Sequence, residues 1–175
     1  MWLLVVVVVL LGFGWIAAPY VRSAAFVIDL SGTKTWVRRL MPVSMQEVKS
    51  RDLVIPTRGG TVKARFYQPA SPSDRTLLVF PGIHNGDVDE PRLAAFSRRL
   101  AASGVNILSI PLPDLRVYRI LPISTDVVED TAVWAAADRT IAPTGRVGLV
   151  GVSFAGGLAL VAAGRPSLQH IVQFQ

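Results

Sequence analysis

The stretch Gly148-Leu149-Val150-Gly151-Val152-Ser153-Phe154-Ala155-Gly156-Gly157 constrains this chain more than any other. An apolar run, Arg146 to Val150, leads into a serine with small residues on both sides, and an apolar helical pattern comes next. This arrangement predicts a tight strand-to-helix turn that holds one hydroxyl clear of the backbone. Gly151 and Ala155 lie two residues either side of Ser153, where a large side chain would collide with the turn. Two other readings compete. One is a glycine-rich turn with an incidental serine. The other is a dinucleotide fingerprint, as in a nucleotide-dependent oxidoreductase, since G-x-G-x-x-G also opens a helix. Against the second, Ser153 stands where a glycine must admit pyrophosphate, and no acidic residue occurs about 20 positions on.

Composition excludes several classes of chemistry. The chain has no cysteine, so disulfides, thiolate zinc sites and a cysteine nucleophile are ruled out. It has two histidines, His84 and His170, too few for a multi-histidine metal site, and no cofactor is expected. The net charge of +6 is spread along the chain. It reads as a solvated surface with some affinity for anionic lipid. Without a basic stripe or a reading motif, nucleic acid is not an expected partner.

Residues 2–21, WLLVVVVVLLGFGWIAAPYV, carry no charged side chain. About 20 residues at about 1.5 Å each span about 30 Å, the thickness of a hydrocarbon core. Trp2, Trp15 and Tyr20 lie near its ends, where interfacial aromatics belong. The expectation is a single-pass transmembrane anchor over 1–21, in contact with membrane lipid. A cleaved signal peptide would carry basic residues ahead of the apolar run, and here there is only the amino terminus. Arg22, Lys34, Arg38 and Arg39 all lie on the C-terminal side of the span, so the positive-inside bias favours a cytoplasmic location for the rest of the chain. Residues 22–45 read as a juxtamembrane connector.

From 46 to 175 the pattern is that of one α/β domain. Glu47–Ile55 and Thr61–Tyr67 read as strands joined at Arg58-Gly59-Gly60. Thr76–Phe80, Val105–Ile110, Arg146–Val150 and His170–Phe174 read as further strands. Helices are expected from Pro91 to Ser103, from Asp126 with Glu129 as a capping pair, and from Phe154 to Ala163. Leu93, Phe96 and Leu100 form the inward stripe of the first of these helices. The alternation predicts a mainly parallel sheet with helices on both faces.

With the turn at Ser153 and the strand-turn Leu77 to His84 in place, the chain resembles an α/β-hydrolase over roughly Gln46 to Gln175. Within that superfamily PGIHNGDVDEPRL, Pro81 to Leu93, is similar to the loop of the dienelactone-hydrolase and peptidase-like esterase branches. The resemblance implies that Ser153 attacks an acyl carbonyl of a small-molecule ester. It implies that the N–H of Phe154 and a second N–H after Phe80, from Ile83 or Gly82, hold the oxyanion. The usual His-Gly pair before the second donor is here Pro81-Gly82, and the last glycine of G-x-S-x-G is Ala155.

The family's acid and histidine come after the serine, yet no Asp or Glu occurs beyond Ser153 and the one later histidine is His170. His170, at a strand entry, is expected at the opposite edge from Ser153 with a structural role. His84 is open between lining the pocket, acting as base and being an ordinary loop histidine. Asp87, Asp89 and Glu90 read as helix-capping residues, and Asp114 as a turn former that can also face the cleft. The fold normally continues beyond such a point, so an incomplete, inactive fragment of a hydrolase is the expectation. The alternative is a non-catalytic, membrane-tethered binding module.

Overall fold

The structure, a computed structural model, describes residues 46–173 apart from His84, Asn85 and Asp87, together with Gly12, Gly14, Trp15, Ala17 and Tyr20. The chain divides into two compact units, Met1–Met45 and Gln46–Gln175. In the first, the five described residues are helical. Among the described residues no helix is long and apolar enough to cross a membrane. The expected anchor and connector, 1–45, lie almost wholly outside the described residues.

The second unit is built on five strands: β1 (Val48–Thr57), β2 (Gly60–Pro69), β3 (Thr76–Phe80), β4 (Asn106–Ser109) and β5 (Gly148–Gly151). Their spatial order is β1-β2-β4-β3-β5. β1 and β2 form the expected hairpin, closing at the Thr57–Gly60 pair with Arg58 and Gly59 in the turn. β3 runs parallel to both β4 and β5.

The sheet is mixed rather than mainly parallel. The hairpin is not a detached ribbon, because β2 pairs antiparallel with β4 through Arg65–Ser109, Phe66–Leu108 and Tyr67–Ile107. The strand expected at His170–Phe174 is seen as one parallel bridge, Val147 to Val172, and Phe174 lies outside the described residues.

Strand periodicity of two sends neighbouring side chains to opposite faces. Phe66, Leu78 and Leu108 enter one buried cluster, and their neighbours Tyr67, Val79 and Ile107 enter the other. Both faces are therefore apolar and both need helices. Helix α1 (Pro91–Ala102) packs Leu93 and Ala101 on the second cluster, with Phe96 and Leu100 partly buried beside them. After the short helix α2 (Pro113–Arg116), helices α3 (Ile123–Ala137) and α4 (Phe154–Ala163) cover the first cluster through Val127, Val128, Ala132, Ala155 and Ala162. Complete burial of each Leu or Phe in these layers contributes about 1.5–3 kcal/mol.

Glu90 caps α1 by accepting the Leu93 N–H at 2.6 Å. Asp89, the other candidate cap, instead pairs with Arg65 at 2.7 Å. Asp87 lies outside the described residues. The expected capping pair at Asp126 and Glu129 does not open α3, which begins at Ile123 with Pro122 as its cap. Both carboxylates are held by cations from other elements. Arg165 donates to Asp126 and to Glu129, each at 2.6 Å. Arg58 donates to Glu129 at 2.6 Å and to Asp130 at 2.6 Å. One ionic cluster thus joins the hairpin turn, α3 and the end of α4.

The Ser167 hydroxyl, then Arg165 and Arg58, lower the Glu129 carboxyl from its ordinary 4.5 to about 2. A carboxyl depressed in the folded state stabilises fully above its unfolded pKa, and that contribution is lost as pH falls through the folded value. We expect the urea midpoint of the chain to fall between pH 5 and pH 2, in part through Glu129. Glu129→Gln should start lower at neutral pH and fall less steeply over the same window. Parallel curves would show that the cluster carries no such linkage.

Candidate active site

Parallel strands carry their carboxyl ends to one edge. β3 ends at Phe80, β4 at Ser109 and β5 at Gly151, so the chain leaves each of them at this edge, through Pro81–Ile83, Ile110 and Val152–Ser153. Ser153 stands there, exposed, between β5 and α4. The Val152 N–H donates to the Phe80 carbonyl at 2.9 Å, which ties the turn to β3. A methyl group on Gly151 would sit on the backbone of Ala155 and Gly156, so the strand and the new helix meet with no space between them.

That closeness leaves Ser153 little conformational choice. Its φ is 55° and its ψ −126°, a region that L residues rarely adopt. Such strain costs about 1–3 kcal/mol and persists only where surrounding packing enforces it. Serine at a helix N-cap normally accepts a hydrogen bond from the first turn. Ser153 makes no such bond. The first N–H groups of α4 lack intrahelical partners by construction. That of Phe154 has no acceptor among the described residues.

The loop after β3 reaches the same place. A Cβ built on Gly82 would lie 2.9 Å from the Val152 carbonyl oxygen and 3.2 Å from Ser153 Cβ. Gly82 is therefore in contact with the serine, and the exposed Ile83 is the next residue along. A groove of about 520 Å³ opens beside them. Pro81, Gly82 and Val152 form one wall, and Arg92, Leu93 and Phe96 of α1 the other. Helical spacing alone assigns Leu93 and Phe96 to the core stripe. Their i, i+3 placement at the start of α1, one loop beyond Pro81, is the signal that they also reach this edge.

Other candidates are placed elsewhere. His170 is exposed two residues before Val172, which pairs with Val147 at the entry to β5. It is thus at the opposite edge of the sheet from Ser153. Asp114 lies in α2, where its carboxylate accepts the Ser124 hydroxyl at 3.2 Å and its carbonyl accepts the Val117 and Arg119 N–H groups. His84 lies outside the described residues. Among the described residues no His, Asp or Glu forms a group fit to hold a metal, and none hydrogen-bonds the Ser153 hydroxyl.

Strain relief gives a test of this geometry. Glycine tolerates the conformation of Ser153 and alanine does not. Ser153→Gly is expected to raise unfolding stability by about 1 kcal/mol over Ser153→Ala, despite glycine's greater chain entropy. Equal or reversed stabilities in denaturant titrations would mean that the backbone at 153 is relaxed.

No protein-family model matches this sequence, and neither does any curated protein. Solved structures do. An esterase from Pyrobaculum calidifontis is 23% identical with a TM-score of 0.55, over 83% of this chain and 45% of its own. Brefeldin A esterase, a bacterial homologue of human hormone-sensitive lipase, is 18% identical with a TM-score of 0.62, over 88% of this chain and 47% of its own. Dienelactone hydrolase from Anabaena variabilis is 20% identical with a TM-score of 0.61, over 72% of this chain and 61% of its own. The chain spans about half the length of the esterases it matches. With its β3-β5 core, its flanking helices and its serine at the strand-to-helix turn, the chain has the α/β-hydrolase fold.

Proposed function

We propose that this protein is a membrane-anchored serine hydrolase acting on esters or related acyl compounds. The observation that carries the reading is Ser153 itself: exposed, strained, not capping its helix, and beside a groove at the carboxyl edge. In this reading Ser153 Oγ attacks the acyl carbonyl and its proton passes to a base. The tetrahedral oxyanion is held by the Phe154 N–H and by a second N–H from the loop after β3, with Ile83 the preferred donor and Gly82 its alternative. Loss of one such donor typically costs about 10²–10³ in rate.

A serine hydroxyl is a weak nucleophile without a base beside it. Residues 154–175 contain no carboxylate, and His170 lies at the wrong edge. We therefore expect the 175-residue chain to carry nucleophile and oxyanion donors without the acid–base pair. It should react slowly with a fluorophosphonate probe, through Ser153 alone, and hydrolyse p-nitrophenyl esters at the background rate. Rapid, Ser153-dependent turnover would mean that a base has been overlooked, with His84 the first residue to replace. Labelling unaffected by Ser153→Ala would remove the serine from the mechanism.

The second reading is a tethered, non-catalytic module with the same fold. It is favoured by the absence of a carboxylate or imidazole on the Ser153 hydroxyl among the described residues. Saturable binding of an acyl compound with no covalent product would select it.

Residues 2–21 supply the proposed anchor, and the arginines and lysine after it favour a cytoplasmic domain. In sealed, right-side-out vesicles added protease should leave residues 46–175 intact until detergent is added. Digestion from outside would reverse the orientation.

A further inference from the structure

The loop after β4 carries a strain that no contact among the described residues repays. Helix α2 ends in a Schellman motif: the Tyr118 N–H donates to the Leu115 carbonyl at 3.2 Å and the Arg119 N–H to the Asp114 carbonyl at 2.9 Å. The residue at the turn of this motif is left-handed and is usually glycine. Here it is Tyr118, with φ 58°. A tyrosine in that conformation is normally compensated by packing. Yet Tyr118 is 68% exposed, and its hydroxyl has no partner among the described residues.

Its neighbours are equally unusual. Val117 is 61% and Ile120 55% exposed. Arginines interleave with them in the run Arg116-Val117-Tyr118-Arg119-Ile120, and the Arg119 guanidinium has no partner among the described residues. The nearby carboxylates Asp114, Glu90 and Asp89 each have a partner among the described residues. Asp114 accepts from Ser124, Glu90 caps α1, and Asp89 pairs with Arg65. The exposed Arg119 therefore gives this loop an outward positive charge.

The loop also shares the carboxyl edge of the sheet with Ser153. Ile83, Val152 and Phe154, three more exposed apolar side chains, lie on that edge after β3 and β5. Aliphatic side chains, a tyrosine and arginines in one exposed strip match the two layers of a lipid surface. The apolar groups suit the acyl boundary, the aromatic ring the interface, and the Arg119 guanidinium the phosphates.

We propose that Arg116–Ile120 is a bilayer-docking loop, which seats Val117, Tyr118 and Ile120 in the headgroup boundary of an anionic lipid surface and turns the Ser153 edge toward it. Such docking is independent of the chemistry of Ser153 and of the anchor at 2–21. A substrate of this edge would then be met at a membrane surface.

The chain has no cysteine, so a single one can be placed and labelled anywhere. The full chain is reconstituted in vesicles of phosphatidylcholine and phosphatidylglycerol containing a lipid-borne nitroxide quencher. Bimane probes are attached in Tyr118→Cys, in Ile120→Cys, and in Val54→Cys, the last 61% exposed on β1 as a control. Quenching at 118 and 120 should exceed that at 54 by several-fold. It should drop on phosphatidylcholine alone and in high salt.

Tyr118→Gly separates docking from folding. Relief of the left-handed strain should raise the thermal midpoint by about 2–4 °C in a chain of this size, while quenching of the probe at 120 falls. Probes at 118 and 120 as water-accessible as that at 54 would overturn the proposal. So would shielding without lipid that grows with protein concentration, which would mark a contact between two copies. A lower midpoint for Tyr118→Gly would make the ring a structural element and would equally refute it.

Discussion

The contact at Gly151 is the constraint on which the site depends. The carboxyl end of β5 lies against the backbone of Ala155 and Gly156 with no room for a methyl group. A chain turning that sharply from strand to helix must put its intervening residue in a costly conformation. Ser153 takes that conformation, and it is exposed and makes no cap bond to the first turn of α4. Strain of this kind survives only if neither arm of the turn can move. β5 is held by its register with β3 and by the Val152–Phe80 hydrogen bond. α4 is held by Ala155 and Ala162 in the core and, at its far end, by the bonds of Arg165 to Asp126 and Glu129.

The ionic cluster accordingly has a part in the geometry of a site it does not touch. Arg58 comes from the hairpin turn, Asp126, Glu129 and Asp130 from α3, and Arg165 from the loop after α4. Arg58 is about half exposed, so each of its pairs taken alone is worth little. Their value lies in sharing carboxylates. Glu129 serves two arginines and a serine, and each partner is already ordered by the others.

Much of the fold was legible because it rests on local signals. The alternation of Thr61–Tyr67, the short apolar run Thr76–Phe80 and the small residues around Ser153 each report on their own neighbourhood. The helix starting at Phe154 and the stop at Gly104 are of the same kind. The departures all involve partners distant in sequence. Asp126 and Glu129 have capping spacing, yet the arginines they bond are 36 to 71 residues away, and α3 starts three residues before Asp126. The hairpin was expected, but its pairing to β4 was not, since Phe66 opposite Leu108 leaves no mark in either strand alone. Helix α2 escaped because four residues opening on a proline carry no periodicity. At the site, the serine was legible from small flanking residues, whereas the groove wall from α1 appears only when Pro81 and Phe96 are brought together by the fold.

Among the described residues the non-glycine positions with positive φ are Ser153 and Tyr118, and both lie at the carboxyl edge. The two are strained for different reasons. At Ser153 the conformation is imposed by the crowding at Gly151, so the strain is the consequence of bringing strand and helix together. At Tyr118 the hydrogen bonds of the helix end impose it, and glycine would satisfy them at lower cost. Glycine would lower the cost at both positions, but at Ser153 it would also remove the hydroxyl. Retaining a tyrosine where glycine fits, with the ring 68% exposed, is a cost of about 1–2 kcal/mol that no contact among the described residues offsets. In the proposed docking the compensating interaction is with lipid, and on this edge it would act next to the serine that the rest of the structure holds in place.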